Sequence, residues 1–203
     1  MDKVLLTVYG MAISGHVHRV RLFLEILGLP YTYVETTAED RSSPEYCAIS
    51  PLCQVPCIRD GEITLSDSNA ILVYLAERYA PEGNWILRDP LGAAHLQRWF
   101  SIAAGELRYG PALARAINLL QRPLDPEPPR ALAAKLFGMI ERHLSGRPYL
   151  AAEHPTLADI ALYSYVSHAP EGGISLTPYP AVTVWLKRIE AIPGFIPLQW
   201  TNN

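Results

Sequence analysis

The sequence predicts an α/β domain with the element order βαβ-ββα, followed by an all-α helical-bundle domain. A strand-like run, a helical run and a second strand-like run fill residues 4–36, and a hairpin signal at Asp60-Gly61 precedes another helical run. Beyond residue 84 the apolar residues recur at helical spacing and no strand is needed. The expected domains are residues 1–80 and 89–203, joined by a linker at residues 81–88.

Local signals predict the elements of the first domain. A β-rich run ends at Gly10, and the helical run that follows is stopped by Gly28 and Pro30. Alternating aromatic and β-branched residues after Pro30 indicate a second strand. The expected strands are 4–9, 31–36, 56–59 and 63–65, and the expected helices are 15–27 and 67–79, with a short helical turn at 44–48 in the polar segment 38–51.

The second domain follows a break in the pattern at residues 80–84, where Pro and Gly interrupt the helical run. Thr156 precedes an apolar run and Asp159 comes three residues later, which is the pattern of a helix capping box. The expected helices are 91–110, 111–120, 130–144, 156–167 and 181–191, with a Pro-rich loop at 122–129.

Composition narrows the classes of function. The chain has 203 residues, of which 49% are hydrophobic and 18% charged, so a packed core is expected rather than disorder. The formal net charge is −3 and no dense run of Lys and Arg occurs, which argues against nucleic acid or an anionic membrane as partner. Because no secretory pattern opens the sequence and its apolar run near the start is too short to span a bilayer, we expect a cytoplasmic protein.

The cysteines and histidines give no metal-site pattern. Cys47, Cys53 and Cys57 are expected to be three reduced thiols in a cytoplasmic chain, since a zinc site needs a fourth ligand and a different spacing. His16 and His18 diverge on a helix, because residues two apart do not share a face. No bound metal is expected.

Three positions are candidates for chemistry. Ser14 lies between the first strand and the first helix, where a hydroxyl beside unpaired N–H groups can donate to a thiolate; a simple N-cap is the alternative. If the Val55-Pro56 bond is cis, the backbone of Val55 turns outward and can pair with an extended peptide; an ordinary trans turn is the alternative. Asp67 suits an ammonium and Ser68 a carboxylate, and helix capping is again the alternative.

Taken in order within one small α/β unit, these positions meet the demands of one ligand. A thiol-activating hydroxyl, a peptide-pairing strand and a clamp for a free amino-acid end together suit glutathione. The chain resembles the cytosolic glutathione transferases along nearly its whole length, and in particular their serine-type, bacterial-like members. The motifs that carry the resemblance are residues 9–14 with Arg19-Val20, Gln54-Val55-Pro56, residues 67–75 and residues 155–161.

The resemblance implies a thioredoxin-like first domain, a helical second domain, a homodimer and a role in detoxification. It implies that Ser14 hydrogen-bonds the glutathione thiolate and that Val55 pairs with the cysteinyl part before a cis Pro56. Asp67 and Ser68 are then expected to hold the γ-glutamyl end.

The resemblance also implies further contacts. Gln54 is expected to touch glutathione, and Arg41 lies where a basic residue approaches the glycyl carboxylate. The second substrate is expected to be a small hydrophobic electrophile held between the domains. Its expected contacts are Met11, Ile13, Leu107 and Arg108.

The sequence also departs from the family pattern. Cys53 stands where many similar proteins carry glycine, and it is either a small buried thiol or a partner for a mixed disulfide with the ligand. No Cys-x-x-Cys lies between the first strand and the first helix, which excludes dithiol exchange of the thioredoxin kind. Two alternatives to transfer stay open: glutathione-dependent reduction of peroxides or disulfides at the same site, and a non-catalytic ligand-binding or interaction protein of the same fold.

Overall fold

The computed structural model describes residues 6–201, and the expected strand residues Val4 and Leu5 lie outside the described residues. The chain divides into two compact units. One contains the chain up to Gly83 together with Pro193–Leu198, and the other contains Asn84–Ile192 together with the residues from Gln199 onward. The segment 193–198, which the sequence analysis assigned to the helical domain, therefore belongs to the first unit.

The first unit is built on a four-stranded mixed sheet. Its strands are β1 (Leu6–Gly10), β2 (Tyr31–Glu35), β3 (Cys57–Asp60) and β4 (Ile63–Ser66), and its helices are α1 (Gly15–Ile26), α2 (Ala38–Ser42), α3 (Pro44–Ile49) and α4 (Ser68–Tyr79). The strand order is β2-β1-β3-β4. β1 runs parallel to β2 and antiparallel to β3, which is antiparallel to β4. This arrangement confirms the predicted thioredoxin-like βαβ-ββα order.

Local chemistry accounts for most boundaries in this unit. Gly61 has φ +58° in the turn between β3 and β4, and Gly28 has φ +64° after α1; both are conformations that glycine adopts without steric cost. The polar segment holds one helix more than expected, because Thr37 and Asp40 form a capping box that begins α2. The hydrogen bonds from Thr37 lower the pKa of the exposed Asp40 carboxyl.

The second unit is helical, as predicted. Its α-helices are α5 (Pro90–Ala104), α6 (Leu113–Leu119), α7 (Glu127–Leu144), α8 (Leu157–Ser167) and α9 (Pro180–Glu190), with a π-helical turn at Arg108–Ala112 and a 3-10 turn at Ala169–Gly172. α7 begins at Glu127 rather than at residue 130, because prolines are tolerated in the first turn of a helix. Among residues 6–201, no helix combines the length and apolar character needed to cross a membrane.

A buried carboxylate organises the start of α8. The N–H and hydroxyl of Thr156 donate to Asp159 Oδ2 at 2.8 and 3.0 Å, which confirms the predicted capping box. The N–H of Leu150 and the indole Nε1–H of Trp185 donate to Asp159 Oδ1, both at 2.9 Å. Burial raises the pKa of Asp159, and these four hydrogen bonds act against that rise. Asp159 thereby joins α8 to α9 and to the chain before α8.

A second acidic residue holds Thr201 to the rest of the helical unit. Glu171 accepts from the Arg115 guanidinium at 2.6 Å and from the N–H of Thr201 at 2.8 Å. Burial alone would raise the pKa of Glu171, but hydrogen bonds from Thr201 and Arg115 hold it below its usual value.

Segment 193–198 is attached to α1. The His18 side chain, only 5% exposed, places Nε2 2.9 Å from the carbonyl oxygen of Ile196. Gly194 has φ +83°, and a Cβ there would lie 2.5 Å from the backbone oxygen of Glu25. Only glycine therefore fits at 194 without displacing the segment from the helix.

Candidate functional site

Ser14 begins α1 from the loop after β1. Its N–H donates to the carbonyl oxygen of Met11 at 2.9 Å, which closes a tight turn. Its Oγ accepts from the N–H of Val17 at 3.4 Å, a long and weak capping bond. The N-cap alternative therefore holds geometrically, and the hydroxyl proton is left to donate elsewhere. The side chain is half-buried, and the first turn of α1 carries no acidic residue.

A carboxylate that the sequence analysis missed supports this loop. Both carboxylate oxygens of Glu35, at the end of β2, accept from the N–H of Ala12 at 3.1 Å. Tyr33 donates its hydroxyl to the same carboxylate at 2.6 Å, and burial together with this bond raises the pKa of Tyr33. The only sequence signal is that Tyr33 and Glu35 are two residues apart and share one face of a strand.

The strand register brings the three candidate segments to one edge of the sheet. Tyr9 near the end of β1 pairs with Cys57 at the start of β3, and Cys57 pairs with Ser66 at the end of β4. In antiparallel pairs, the residues after β1, before β3 and after β4 therefore lie at the same edge. Those segments contain Ser14, Val55 and Asp67.

The Val55-Pro56 peptide bond is cis, which confirms the expectation from the resemblance. Val55 precedes β3 and is half-buried. Within the part of the chain that the structure describes, neither the N–H nor the C=O of Val55 makes a hydrogen bond. An extended peptide can use both groups.

Asp67 and Ser68 begin α4. Asp67 Oδ1 accepts from the N–H groups of Asn69 and Ala70, both at 2.9 Å, so the capping alternative also holds for Asp67. Asp67 is exposed and has φ 71° and ψ 119°, a conformation that non-glycine residues rarely adopt. Backbone strain of this kind concentrates at ligand sites.

Arg19, which the sequence analysis names only as part of a motif, is the second residue whose role in the site it missed. Its side chain is only 1% exposed. It extends from α1 and donates to Ser68 Oγ at 3.2 Å and to the Asn69 side-chain oxygen at 3.0 Å. A buried guanidinium thus fixes the first turn of α4 against α1 and places positive charge beneath Ser68.

The other two predicted glutathione contacts lie in the segment between β2 and β3. The carbonyl oxygen of Gln54 accepts from the hydroxyls of Tyr46 and Ser50, at 3.0 and 2.9 Å, while its side chain is exposed. Arg41 donates to the carbonyl oxygen of Thr36 at 3.0 Å. The Gln54 backbone and the Arg41 side chain are therefore each held by hydrogen bonds within the protein, and their contact with a ligand stays a prediction.

The expectation of three reduced thiols is wrong. Cys47 and Cys53 form a disulfide, because the turn after α3 brings their Cα atoms to 4.8 Å, within the range that a disulfide spans. Cys53 has φ 51°, a conformation that glycine adopts more readily than other residues. Cys57 is free and fully buried, and burial raises the pKa of its thiol to about 11. No group of three or more His, Cys, Asp or Glu within residues 6–201 is arranged to hold a metal ion.

The residues predicted to contact the electrophile differ in exposure. Met11 and Ile13 lie in the loop after β1 and are half-buried. In the helical unit, the Leu107 side chain is fully buried and Arg108 is exposed, with its guanidinium 5.6 Å from the Tyr109 ring centre.

Two family models match the chain. Residues 8–83 match the model described as the glutathione S-transferase N-terminal domain, and residues 127–193 match that of the glutathione S-transferase C-terminal domain. Glutathione S-transferase 3 of Zea mays is 32% identical, over 94% of this chain and 91% of that protein. Disulfide-bond oxidoreductase YfcG of Escherichia coli (strain K12) is 30% identical, over 87% of this chain and 86% of that protein.

Solved structures agree with these matches. The crystal structure of a glutathione S-transferase from Pseudomonas fluorescens superposes with a TM-score of 0.89 at 30% identity, covering 96% of this chain and 98% of that chain. A glutathione transferase homologue from Drosophila mojavensis, with bound glutathione, gives a TM-score of 0.83 at 27% identity, covering 94% and 89%.

Proposed function

This chain belongs to the glutathione S-transferase family and transfers glutathione to an electrophilic substrate, and we propose that Ser14, Val55, Asp67 and Ser68 hold and activate the glutathione. The observation that carries the proposal is the strand register, since it brings all four residues to one edge of the sheet.

Ser14 acts on the thiol. Its hydroxyl proton is available, because among the described residues the Ser14 hydroxyl makes only the long bond that it accepts from the N–H of Val17. Donation to the glutathione sulfur stabilises the thiolate, and the N-terminal end of α1 adds to this effect. Each unit by which the thiol pKa falls corresponds to about 1.4 kcal/mol of thiolate stabilisation. Catalysis thus rests on thiolate stabilisation and proximity and needs no protein nucleophile.

The other residues hold the peptide. Val55 offers its backbone N–H and C=O to the cysteinyl part of glutathione. The Ser68 hydroxyl oxygen accepts a hydrogen bond from Arg19, so its O–H can donate one to the α-carboxylate of the γ-glutamyl end. The buried Arg19 guanidinium also attracts this carboxylate. The exposed Asp67 carboxylate is the matching partner for the α-ammonium. Gln54 also contacts glutathione.

The finer parts of the function are proposals as well. Arg41 approaches the glycyl carboxylate, and the half-buried Met11 and Ile13 contact a small hydrophobic electrophile. In the helical unit, the exposed Arg108 remains a candidate contact, whereas the fully buried Leu107 is not accessible to a substrate. We also propose that the enzyme is a cytoplasmic homodimer that acts in detoxification.

A second candidate reaction is glutathione-dependent reduction of disulfides or peroxides at the same site. The observation that favours it is the relative in Escherichia coli whose name is disulfide-bond oxidoreductase. Initial rates with a chloronitrobenzene, a hydroperoxide and a small disulfide separate the two reactions. A non-catalytic binding protein would turn over none of the three.

The test begins with isothermal titration of the protein with reduced glutathione. We expect one site per chain, lost in Asp67→Ala. Ser14→Ala should bind glutathione but raise the pKa of the bound thiol, followed by its ultraviolet absorbance, by about 1–2 units and lower kcat about 10- to 100-fold. Ser101→Ala is the matched control, since this exposed hydroxyl donates only to the Gln97 carbonyl within α5. Unchanged turnover in Ser14→Ala would overturn its role.

A further inference from the structure

The Cys47–Cys53 disulfide lies in the segment that leads into the candidate glutathione site. Cys47 is on α3, and Cys53 lies in the turn that follows it; both are half-buried. The Cys53 N–H donates to the carbonyl oxygen of Ser50 at 2.6 Å, which holds the turn closed. Neither cysteine is therefore closed off in the core, and access of a small thiol is one condition for thiol–disulfide exchange.

Cys53 is two residues ahead of Val55, so at most about 7 Å of chain separates them. Under the proposed function, Val55 pairs with the cysteinyl part of glutathione, which carries the thiol. The Cα of Cys53 therefore lies within about 7 Å of the Cα of the residue that pairs with the thiol-bearing part of glutathione. Thiolates, rather than thiols, attack disulfides.

We propose that the Cys47–Cys53 disulfide is a second reactive centre of this protein, where bound glutathione undergoes thiol–disulfide exchange at the Sγ of Cys53. This inference rests on the proposed function, because it needs glutathione held beside Val55. It differs from dithiol exchange of the thioredoxin kind, since the two cysteines lie after α3 and not between β1 and α1.

The exchange balances with glutathione alone. The glutathione thiolate forms a bond to Cys53 Sγ, the Cys47–Cys53 bond breaks, and Cys47 leaves as a thiolate that takes a proton from water. A second glutathione thiolate attacks the glutathione sulfur of the mixed disulfide and releases Cys53 as a thiolate. Two glutathione molecules are oxidised to glutathione disulfide, and one protein disulfide is reduced to two thiols. Glutathione disulfide drives the same steps in reverse.

The surroundings of Cys47 suit the reduced state. Its Sγ lies 3.4 Å from the carbonyl oxygen of Arg41, which can accept the S–H of the released thiol. The free thiol of Cys57 is a bystander, because its side chain is fully buried.

The first experiment follows reduction of the disulfide in the wild-type protein by reduced glutathione. Samples are quenched, alkylated and counted by mass. We expect the rate of reduction to saturate as the glutathione concentration rises, and to be half-maximal at the dissociation constant measured by calorimetry. S-methylglutathione, which occupies the site but has no thiol, should slow the reaction at least about tenfold when saturating.

The outcomes separate the two claims. If calorimetry detects glutathione binding but reduction is proportional to glutathione concentration and insensitive to S-methylglutathione, the exchange proposal is wrong and the proposed function stands. If glutathione does not bind, both fall. Saturable reduction without transfer to any electrophile would support the exchange and overturn the transferase mechanism.

The second experiment identifies the attacked sulfur. Cys47→Ser leaves Cys53 as a free thiol, and glutathione disulfide should then trap it as a mixed disulfide on the peptide that contains residue 53. In the matched Cys53→Ser variant, Cys47 should be modified at least about tenfold more slowly. Equal rates at the two cysteines would overturn the assignment to Cys53.

Discussion

Asp159 offers a quantitative test of how the helical unit is held together. Its carboxylate is fully buried and accepts four hydrogen bonds. Asp159→Ala leaves three buried N–H donors, on Leu150, Thr156 and Trp185, without an acceptor. Each such donor costs about 1–3 kcal/mol, so we expect a loss of about 3–9 kcal/mol. That is a large part of the usual stability of about 5–15 kcal/mol.

Asp159→Asn should cost less than Asp159→Ala. If the amide of this variant turns its NH2 group toward Thr156, its Oδ1 still accepts the two hydrogen bonds from Leu150 and Trp185. The Thr156 hydroxyl can then rotate and accept a hydrogen bond from the NH2 group. Only the Thr156 N–H then loses its acceptor, at about 1–3 kcal/mol.

This loss can be measured by urea unfolding with tryptophan fluorescence as the signal. The signal reports on the helical unit, because all four tryptophans, at 85, 99, 185 and 200, belong to it. Asp40→Ala is a control in the same type of capping box at an exposed position, and circular dichroism should detect only a small change. Equal losses for Asp159→Ala and Asp159→Asn, or a loss below about 1 kcal/mol for Asp159→Ala, would refute the reasoning.

Three further predictions concern other side chains. Arg19→Lys removes the forked contact beneath Ser68 and should weaken glutathione binding by about tenfold in calorimetry, which corresponds to about 1.4 kcal/mol. Because the pKa of Glu171 is held below its unfolded value of about 4.5, its contribution to stability is present above that pH and is lost as pH falls through the folded pKa. The difference in urea midpoint between wild type and Glu171→Gln should therefore shrink on acidification, and a constant difference would contradict this. After reduction with dithiothreitol, Cys57 should react with a thiol reagent only in denaturant, while the other two thiols react in the native protein.

The features that could be predicted from the sequence depend on neighbouring residues. The Asp60-Gly61 turn and the Thr156–Asp159 capping box are both encoded within four residues, and both are present in the structure. The backbone hydrogen bonds and side-chain caps that make them act over the same short distance. These two predictions are correct because the interactions that form the turn and the capping box involve only residues close in sequence.

The features that were missed depend on long-range contacts. Ala12 and the Glu35 carboxylate form a hydrogen bond although they are 23 residues apart in the sequence, and Arg19 and Ser68 do so at a separation of 49 residues. An Arg on a helix is normally exposed, so nothing local predicts a buried guanidinium at this position. The return of segment 193–198 to α1 depends on a glycine at 194, but a glycine near the end of a chain also fits an ordinary turn. These contacts form only when the elements pack together.

Backbone strain gives an independent argument that this edge of the sheet binds a ligand. Among residues 6–201 the non-glycine residues with positive φ are Cys53, Asp67 and Gln121. Cys53 is next to the predicted glutathione contact Gln54, and Asp67 is itself a predicted contact. Such conformations cost about 1–3 kcal/mol each and persist only where the surroundings enforce them. The disulfide and the Ser50 carbonyl enforce the turn at Cys53, and the capping bonds to Asn69 and Ala70 enforce that at Asp67. The strained residues Cys53 and Asp67 thus come before and after the cis peptide in the sequence, and separate contacts hold each of them. Such strain is expected where the backbone must be in place before a ligand binds.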